Sequence, residues 1–444
     1  MTLDNILQKV KHEHIRFVRF LYCDNGGIIR GKSAYAPTLT ARMTGGIGLT
    51  VAMQAMNSLD QLQPMKGMGP VGEVRLVPDA STFRILPYAP HSAAVLTDMT
   101  TLEGNPWEAC PRSFLARMEL RARALGITVI ASIENEFSLI LDDKPWDDTL
   151  CFSSQGMLAS QEFVDELAED LDHQGIVLEQ YYPELAPGQH EISVRHQDAM
   201  RAADQQIYTR ETIRAVAANH GLRVSFAPKP WVDQAGNGGH IHFSLVDEAG
   251  NNLIYEPHDP YQLSPLGYEF MAGILFHLPA LLALTAPTVN SYQRLVPNTW
   301  SGGYSCWGPD NREAPLRIAS PLKSRESQSV NIELKAADLS ANPYLALGGL
   351  IAAGLDGITQ HREIGKPALV NPDQLTDHER QIMGIVRLPQ TLSRALDYLT
   401  QNPVLTDALG DLLLNSYVAV KRSEVAFYDD KSPDDIAAWH RFRY

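Results

Sequence analysis

Cysteine is scarce in this chain. The four present, Cys23, Cys110, Cys151 and Cys306, are scattered and include no C-x-x-C pair. That excludes a disulfide framework and predicts reduced thiols in a cytoplasmic protein. Basic charge is also short, with 37 Lys and Arg against 52 Asp and Glu, and a net charge of -15 disfavours a nucleic-acid partner. Uninterrupted apolar runs are missing as well. The richest stretch, residues 271–285, is broken by His277 and Pro279 and falls short of a membrane span. The polar N-terminus, MTLDNILQKVKHEH, is not a signal peptide. Internal repeats and heptads are absent, and no G-x-x-x-x-G-K-[ST] loop occurs, so any nucleotide binds without a P-loop.

What is present is length. The 444 residues, 44% of them hydrophobic, can bury a large core and build one big domain plus a smaller one. The first hundred residues read mostly as strands and turns. Residues 15–22 alternate, Asp24-Asn25-Gly26-Gly27 makes a hairpin turn, and residues 28–34 run back. Residues 74–87 read as a strand, a Pro-Asp turn and a return, and residues 45–72 as a long loop. Past a break at Gly104-Asn105-Pro106, residues 112–125 predict a helix and 127–141 one apolar strand. Further helices are expected over 160–174 and 198–220, and through most of 376–416. The pattern is a small β-rich domain followed by a larger mixed one.

Carboxylates recur on predicted strands. Glu134 and Glu136 lie two apart, which puts both side chains on one face. Alone they read equally as a solvated face, although buried unpaired charge is costly. Glu184 and Glu191 flank a Pro-Gly turn that can fold the second back toward the first. His240 and His242 share a strand face after a Gly-rich loop, and Glu333 sits in another short strand. Five carboxylates with one or two imidazoles suit hard ions such as Mg²⁺ or Mn²⁺ better than zinc. Arg294, Arg312 and Arg317 cluster nearby in sequence; surface salt bridging is the plain alternative for them. The chemistry alone reads as metal-assisted phosphoryl or acyl-phosphate transfer.

These segments, taken in order, resemble the motif series of the glutamine synthetase family. They are Glu134-Asn-Glu136-Phe, Glu184…Pro-Gly-Gln-His-Glu191, Gly-Gly-His240-Ile-His242-Phe-Ser244, Arg294-Leu-Val-Pro, Asn311-Arg312…Arg317 and Glu333…Asn342-Pro-Tyr-Leu. Val77-Pro-Asp-Ala-Ser-Thr82 is similar to the family's N-terminal segment. The resemblance implies an α+β fold, with a β-grasp-like domain over residues 1–104 and a catalytic domain over 105–444 built on a curved antiparallel sheet flanked by helices. It implies a homododecamer of two hexameric rings, with ATP and Mg²⁺ (or Mn²⁺) used to make a γ-glutamyl phosphate that an amine attacks. By motif, Glu136, Glu184 and Glu191 would hold one ion, and Glu134, His240 and Glu333 the other. His242 and Ser244 would contact ATP, Arg294 and Gly236 the glutamate, and Arg312 and Arg317 the transferring phosphate and ATP.

The chain also departs from the family. True glutamine synthetases bind ammonium with an acidic residue in the N-terminal domain, but residues 53–69 hold only Asp60 as a poor stand-in. A second acid normally follows the Arg-Leu-Val-Pro motif, where this chain has Trp300. Tryptophan offers apolar area and a cation–π face worth roughly 0.5–2 kcal/mol for an alkylammonium. Lys335 stands where the family has a catalytic arginine, and Ala235 replaces a glutamate-binding asparagine. The adenylylation segment is absent. These differences point to a γ-glutamyl amide synthetase acting on glutamate and an organic amine. The alternatives are an ordinary ammonia-using enzyme with Trp300 as a loop anchor, a ligase for another acid, and a catalytically silent relative.

Overall fold

The computed structural model describes all 444 residues. The N-terminal sheet comprises β1 (Phe17–Cys23), β2 (Ile29–Tyr35), β3 (Ile47–Thr50), β4 (Glu73–Pro78), β5 (Arg84–Ile85) and β6 (Ser92–Thr100). Its order is β2-β1-β6-β4-β3, with β1 and β6 parallel at the centre. Two-residue periodicity divides β6 between two cores. Ala93 and Val95 face the N-terminal helix, packing with Ile6 and Val10. Ala94 and Leu96 face the rest of the molecule and join its main core. A strand buried on both faces needs consecutive apolar residues, and Ala93-Ala94-Val95-Leu96 of β6 supplies them.

A helix precedes the first strand, and two expectations fail in this region. Leu3–His12 is a helix, started by the Thr2 side chain accepting from Asn5 N. Residues 74–87 do not form a hairpin: β4 pairs with Thr97–Thr100 and β5 with Ala93–Ala94, one after the other along the same edge of β6. The intervening Asp79 accepts from Ser81 N and makes a one-turn offset rather than a reversal. Residues 45–72 are not all loop, because β3 adds an edge strand and a 3₁₀ turn follows at Val51–Ala55.

Beyond the Gly104 turn come β7 (Thr128–Ile133), β8 (Asn135–Leu141), β9 (Lys144–Pro145), β10 (Leu178–Pro183), β11 (Gln189–Val194), β12 (Gln197–Asp198), β13 (Arg223–Ser225), β14 (Ile241–Val246), β15 (Trp307–Pro309), β16 (Leu316–Ala319) and β17 (Asn331–Leu334). The single strand expected over 127–141 is two strands in two sheets. β7 belongs to β12-β7-β14-β17-β16-β15, and β8 to β10-β11-β8-β13. The chain passes from one sheet to the next at Glu134, and together they curve into one nearly closed surface with helices outside.

Pro265–Thr285 corrects another expectation. It is one 21-residue helix that continues through Pro279, and its length and composition would suffice to cross a membrane. Two thirds of its apolar window is instead buried, chiefly against the helix Pro343–Thr359. The two helices touch backbone to backbone, since a Cβ at Gly357 would lie 2.0 Å from Glu269 O and one at Gly273 2.2 Å from Ala353 O. Asn342 caps the second helix by accepting from Tyr344 N and Leu345 N, and donates to the carbonyls of Cys23 and Asp24 in the first hairpin.

A second tie joins the two parts of the chain. Buried Arg112 donates to Asp204 (2.9 and 2.8 Å), Asp98 (2.9 Å) and Asp79 (2.7 Å), and Tyr344 OH donates to Asp204 at 2.8 Å. Asp79 is the acid of the Pro-Asp segment singled out in the sequence.

Candidate active site

Antiparallel pairing places Glu136 of β8 directly opposite Glu191 of β11. Like charges at that separation are destabilising unless something neutralises them. Glu184 joins them from the end of β10, whose hairpin closes by Glu184 N donating to Gln189 O at 2.7 Å. Burial and the charge of Glu136 push Glu184 up to about 7. Burial, with Glu134 and Glu136 adding to it, pushes Glu191 up to about 10, although Tyr182 OH donates to it at 2.5 Å. Three carboxylates brought this close fit a hard cation, whose charge would reverse the shifts of Glu184 and Glu191.

Glu134, His240 and Glu333 form a second group, with one ligand-type atom from each lying within 4.8 Å of the others. His240 Nδ1 is 3.0 Å from Glu134 and 3.3 Å from Glu333, and Nε2 is 3.6 Å from Glu136. His240 therefore sits between the two carboxylate groups. Register explains the rest. Glu333 of β17 lies between His242 of β14 and Arg317 of β16. It receives Arg317 Nε in a short ion pair and Lys335 Nζ at 3.0 Å. Burial opposes ionisation of Glu333, but Lys335, His240 and His242 outweigh it and hold the carboxyl near 2. For Glu134 burial also opposes, and the charge of His242 with the contacts of both imidazoles holds it well below the usual carboxylate range. Burial would lower His242, but Glu134, 3.0 Å from Nε2, raises it to about 9. The protonated imidazole here supplies positive charge that a divalent ion could supply instead.

Arg294 ends a four-residue helix and is buried. It donates to Ala337 O at 3.0 Å and lies 2.9 Å from His240 Nε2. The glycine loop packs onto it. A Cβ at Gly236 would lie 3.0 Å from Arg294 Cγ, and one at Gly238 only 2.5 Å from His240 Nε2 and 2.6 Å from Arg294 Nη2. Gly236 O is fixed by Gln189 Nε2 at 2.9 Å. His242 and Ser244, with Glu134, line a cleft of about 480 Å³ together with Ser132, Asn331, Arg325 and the apolar Ile130 and Leu322. Polar groups at one side and apolar area at the other suit a nucleotide.

Two of the expected residues, Arg312 and Trp300, lie apart from this core, as does the possible stand-in acid Asp60. Arg312 is exposed and touches none of these groups. Trp300 is 57% exposed on the loop after Arg294, with a left-handed backbone (φ 55°). Asp60 is exposed and already paired with Arg30 at 2.8 Å.

The family model for the glutamine synthetase catalytic domain matches residues 108–440, and that for the glutamine synthetase N-terminal domain matches residues 2–107. The chain belongs to the glutamine synthetase family. It is therefore an ATP-dependent carbon–nitrogen ligase of a family that uses a divalent metal. Among curated relatives it is 36% identical to gamma-glutamylpolyamine synthetase GlnA3 of Streptomyces coelicolor, over 95% of this chain and 92% of that one. It is 33% identical to the glutamine synthetase of Halobacterium salinarum, over 99% and 95%. A solved structure of a novel glutamine synthase homolog matches with TM-score 0.88 and 36% identity, covering 97% of this chain and 99% of that one. One of a GmaS/ADP complex matches with 0.85 and 28%, covering 96% of each.

Sequence reasoning passed over Gln189, which donates to Glu136, Gly236 O and Asn237, although it lies inside a quoted motif. It passed over Tyr182, and over Asn331, whose Oδ1 lies 2.8 Å from His242 Nδ1. Arg325 could not be found by any spacing rule, since the cleft that it lines exists only after folding.

Proposed function

We propose that this ligase joins the γ-carboxyl of glutamate to an organic amine, with ATP converting the carboxylate to a γ-glutamyl phosphate. A carboxylate is a poor acyl donor until one of its oxygens becomes a phosphate leaving group. In this reading Glu136, Glu184 and Glu191 hold one Mg²⁺ or Mn²⁺, and Glu134, His240 and Glu333 the other. The ions supply charge neutralisation where two anions must meet. Arg294 and the Gly236 loop orient glutamate. ATP lies in the cleft of His242 and Ser244, and Arg317 and Lys335 face the transferred phosphoryl group through their shared contact with Glu333. Arg312 would reach the phosphate only by moving inward from its exposed position. Family members form two stacked hexameric rings, and the same assembly is proposed here.

The observation that carries the choice of acceptor is the absence of a free carboxylate at either ammonium-binding position. Asp60 is neutralised by Arg30, and the other position holds an exposed indole. A small, strongly hydrated cation needs charge to replace its water, whereas an indole face suits an alkyl or aryl amine. An ordinary ammonia-using glutamine synthetase is the second reading, favoured by the 33% identity to such an enzyme over nearly the whole chain.

Phosphate release with ATP, Mg²⁺ and glutamate, measured against ammonia, methylamine, ethanolamine, putrescine, spermidine and aniline, separates the two. Turnover with an organic amine and little with ammonia is expected. Turnover with ammonia alone would establish the second reading.

A further inference from the structure

The loop that carries Trp300 is held unusually firmly for an exposed segment. Asn298 and Trp300 both have left-handed backbones, at φ 63° and 55°. A tryptophan keeps such a conformation only where its surroundings impose it. The buried carboxylate of Glu313 imposes it, with Oε2 accepting from Asn298 N at 3.1 Å and Oε1 from Trp300 N at 2.8 Å. Glu313 is itself fixed, because its N–H donates to Asn311 Oδ1 at 3.0 Å and Asn311 donates to Ala368 O at 2.8 Å. The remainder of the loop is tied on both sides. Thr299 and Ser301 hydroxyls donate to Arg294 O at 3.1 and 2.9 Å. Asn298 Nδ2 donates to Asp373 at 2.9 Å, and Arg387 donates to Gly303 O.

We infer that Glu313 is a positioning residue for acceptor specificity: its carboxylate fixes the Trp300 backbone, so that the indole stands as a preset wall of the amine pocket rather than a mobile flap. This inference rests on the reading of Trp300 as part of that pocket. Pre-setting the wall removes the ordering cost that an amine would otherwise meet on binding. The effect should therefore fall on the amine and spare the other two substrates, whose contacts lie on strands, on the Gly236 loop and on the Arg294 side chain, to none of which the Glu313 carboxylate is bonded.

The test is steady-state kinetics for the preferred amine, glutamate and ATP in Glu313→Ala, Glu313→Gln, Trp300→Ala and the double variant Glu313→Ala/Trp300→Ala. Loss of both bonds in Glu313→Ala should raise the amine KM by about tenfold, with the KM values of ATP and glutamate within about twofold of the parent. Glu313→Gln keeps one accepting oxygen and nearly the same volume, so it should recover part of that loss and should fold even if the alanine variant does not. The double variant should be no worse for the amine than Trp300→Ala alone. An alanine effect that adds in full on top of Trp300→Ala, or that strikes all three substrates alike, overturns the assignment of Glu313. If Trp300→Ala leaves the amine KM and the amine ranking unchanged, the pocket reading itself fails, and the role of Glu313 falls with it.

Discussion

At the scale of single residues, the site combines acids of two kinds. Glu134 and Glu333 ionise readily because imidazoles, Lys335 and Arg317 surround them. Glu184 and Glu191 are held protonated to higher pH by burial and by the neighbouring charges of Glu136 and Glu134. A carboxyl whose folded pKa is raised binds more protons in the folded than in the unfolded state, so stability falls as pH rises between the two values. For Glu184 and Glu191 that window runs from about 4.5 to 7 and from about 4.5 to 10. His242, raised to about 9, has the same sign above about 6.5. The windows of the depressed Glu134 and Glu333 lie below 4.5 and do not compete. Chelated protein should therefore melt at lower temperature at pH 8 than at pH 5.5, and Mg²⁺ should raise the melting point more at pH 8. A melting point that rises with pH in chelator would contradict this account of the carboxylates. Replacement of Trp300 belongs to the same scale. Trp300→Glu should shift the ratio of kcat/KM for ammonia to that for the preferred amine at least about tenfold toward ammonia, measured by phosphate release; an unchanged ratio would mean that the indole does not select the acceptor.

At the scale of elements, the glycine loop shows how little space the site has. A methyl group at Gly238 would collide with His240, Arg294 and Glu136 Oε1 at 2.5, 2.6 and 2.9 Å. Gly238→Ala should lower kcat about a hundredfold, as expected for displaced catalytic groups, while circular dichroism and melting behaviour change little. Retained activity would place those three side chains outside the chemistry. Much at this scale is legible in the sequence. The hairpin of β1 and β2 follows from alternation and from Asn-Gly-Gly, and the helices Pro111–Arg123, Gln161–His173 and Ala199–Asn219 follow from their periodicity and stops, each to within one or two residues. The break at Glu134 is not legible, because apolar residues continue unchanged on both sides while their partners change from one sheet to another. Pairing partners are tertiary information, which also explains why β4 and β5 read as a hairpin from sequence but pair in turn with β6. The spacing of Glu134 and Glu136 still predicted one face, since both strands bring their acids to His240. Glu313 drew no attention beside Arg312, although it is the buried member of that pair.

At the scale of the whole molecule, Arg112 is the residue on which the two parts of the chain depend. It gathers three aspartates, two from the N-terminal region and one from the helix Ala199–Asn219. Its removal would leave several carboxylates close together without a partner. Arg112→Ala should destabilise the fold by about 3–5 kcal/mol, read as a shifted denaturation midpoint in urea. A shift below about 1 kcal/mol would reduce Arg112 to a surface ion pair. The main core reaches across this boundary, from Leu76 and Leu96 to Phe114 and Tyr344, so the two parts should lose structure together, read as coincident fluorescence and circular-dichroism transitions.

The passage of the chain from one sheet to the other at Glu134 has a consequence for how such a ligase can change its substrate. Most of the carboxylates assigned to activation of the acid are borne by strands from both sheets or their ends and converge near that one crossing, so a substitution among them disturbs several others at once. Trp300, Asp60 and Glu313 belong instead to connecting segments at the periphery. A new acceptor can be acquired by rewriting connecting loops while the metal-binding carboxylates stay in place, and grafting residues 297–304 together with Glu313 into an ammonia-using relative is the direct way to move that choice between enzymes.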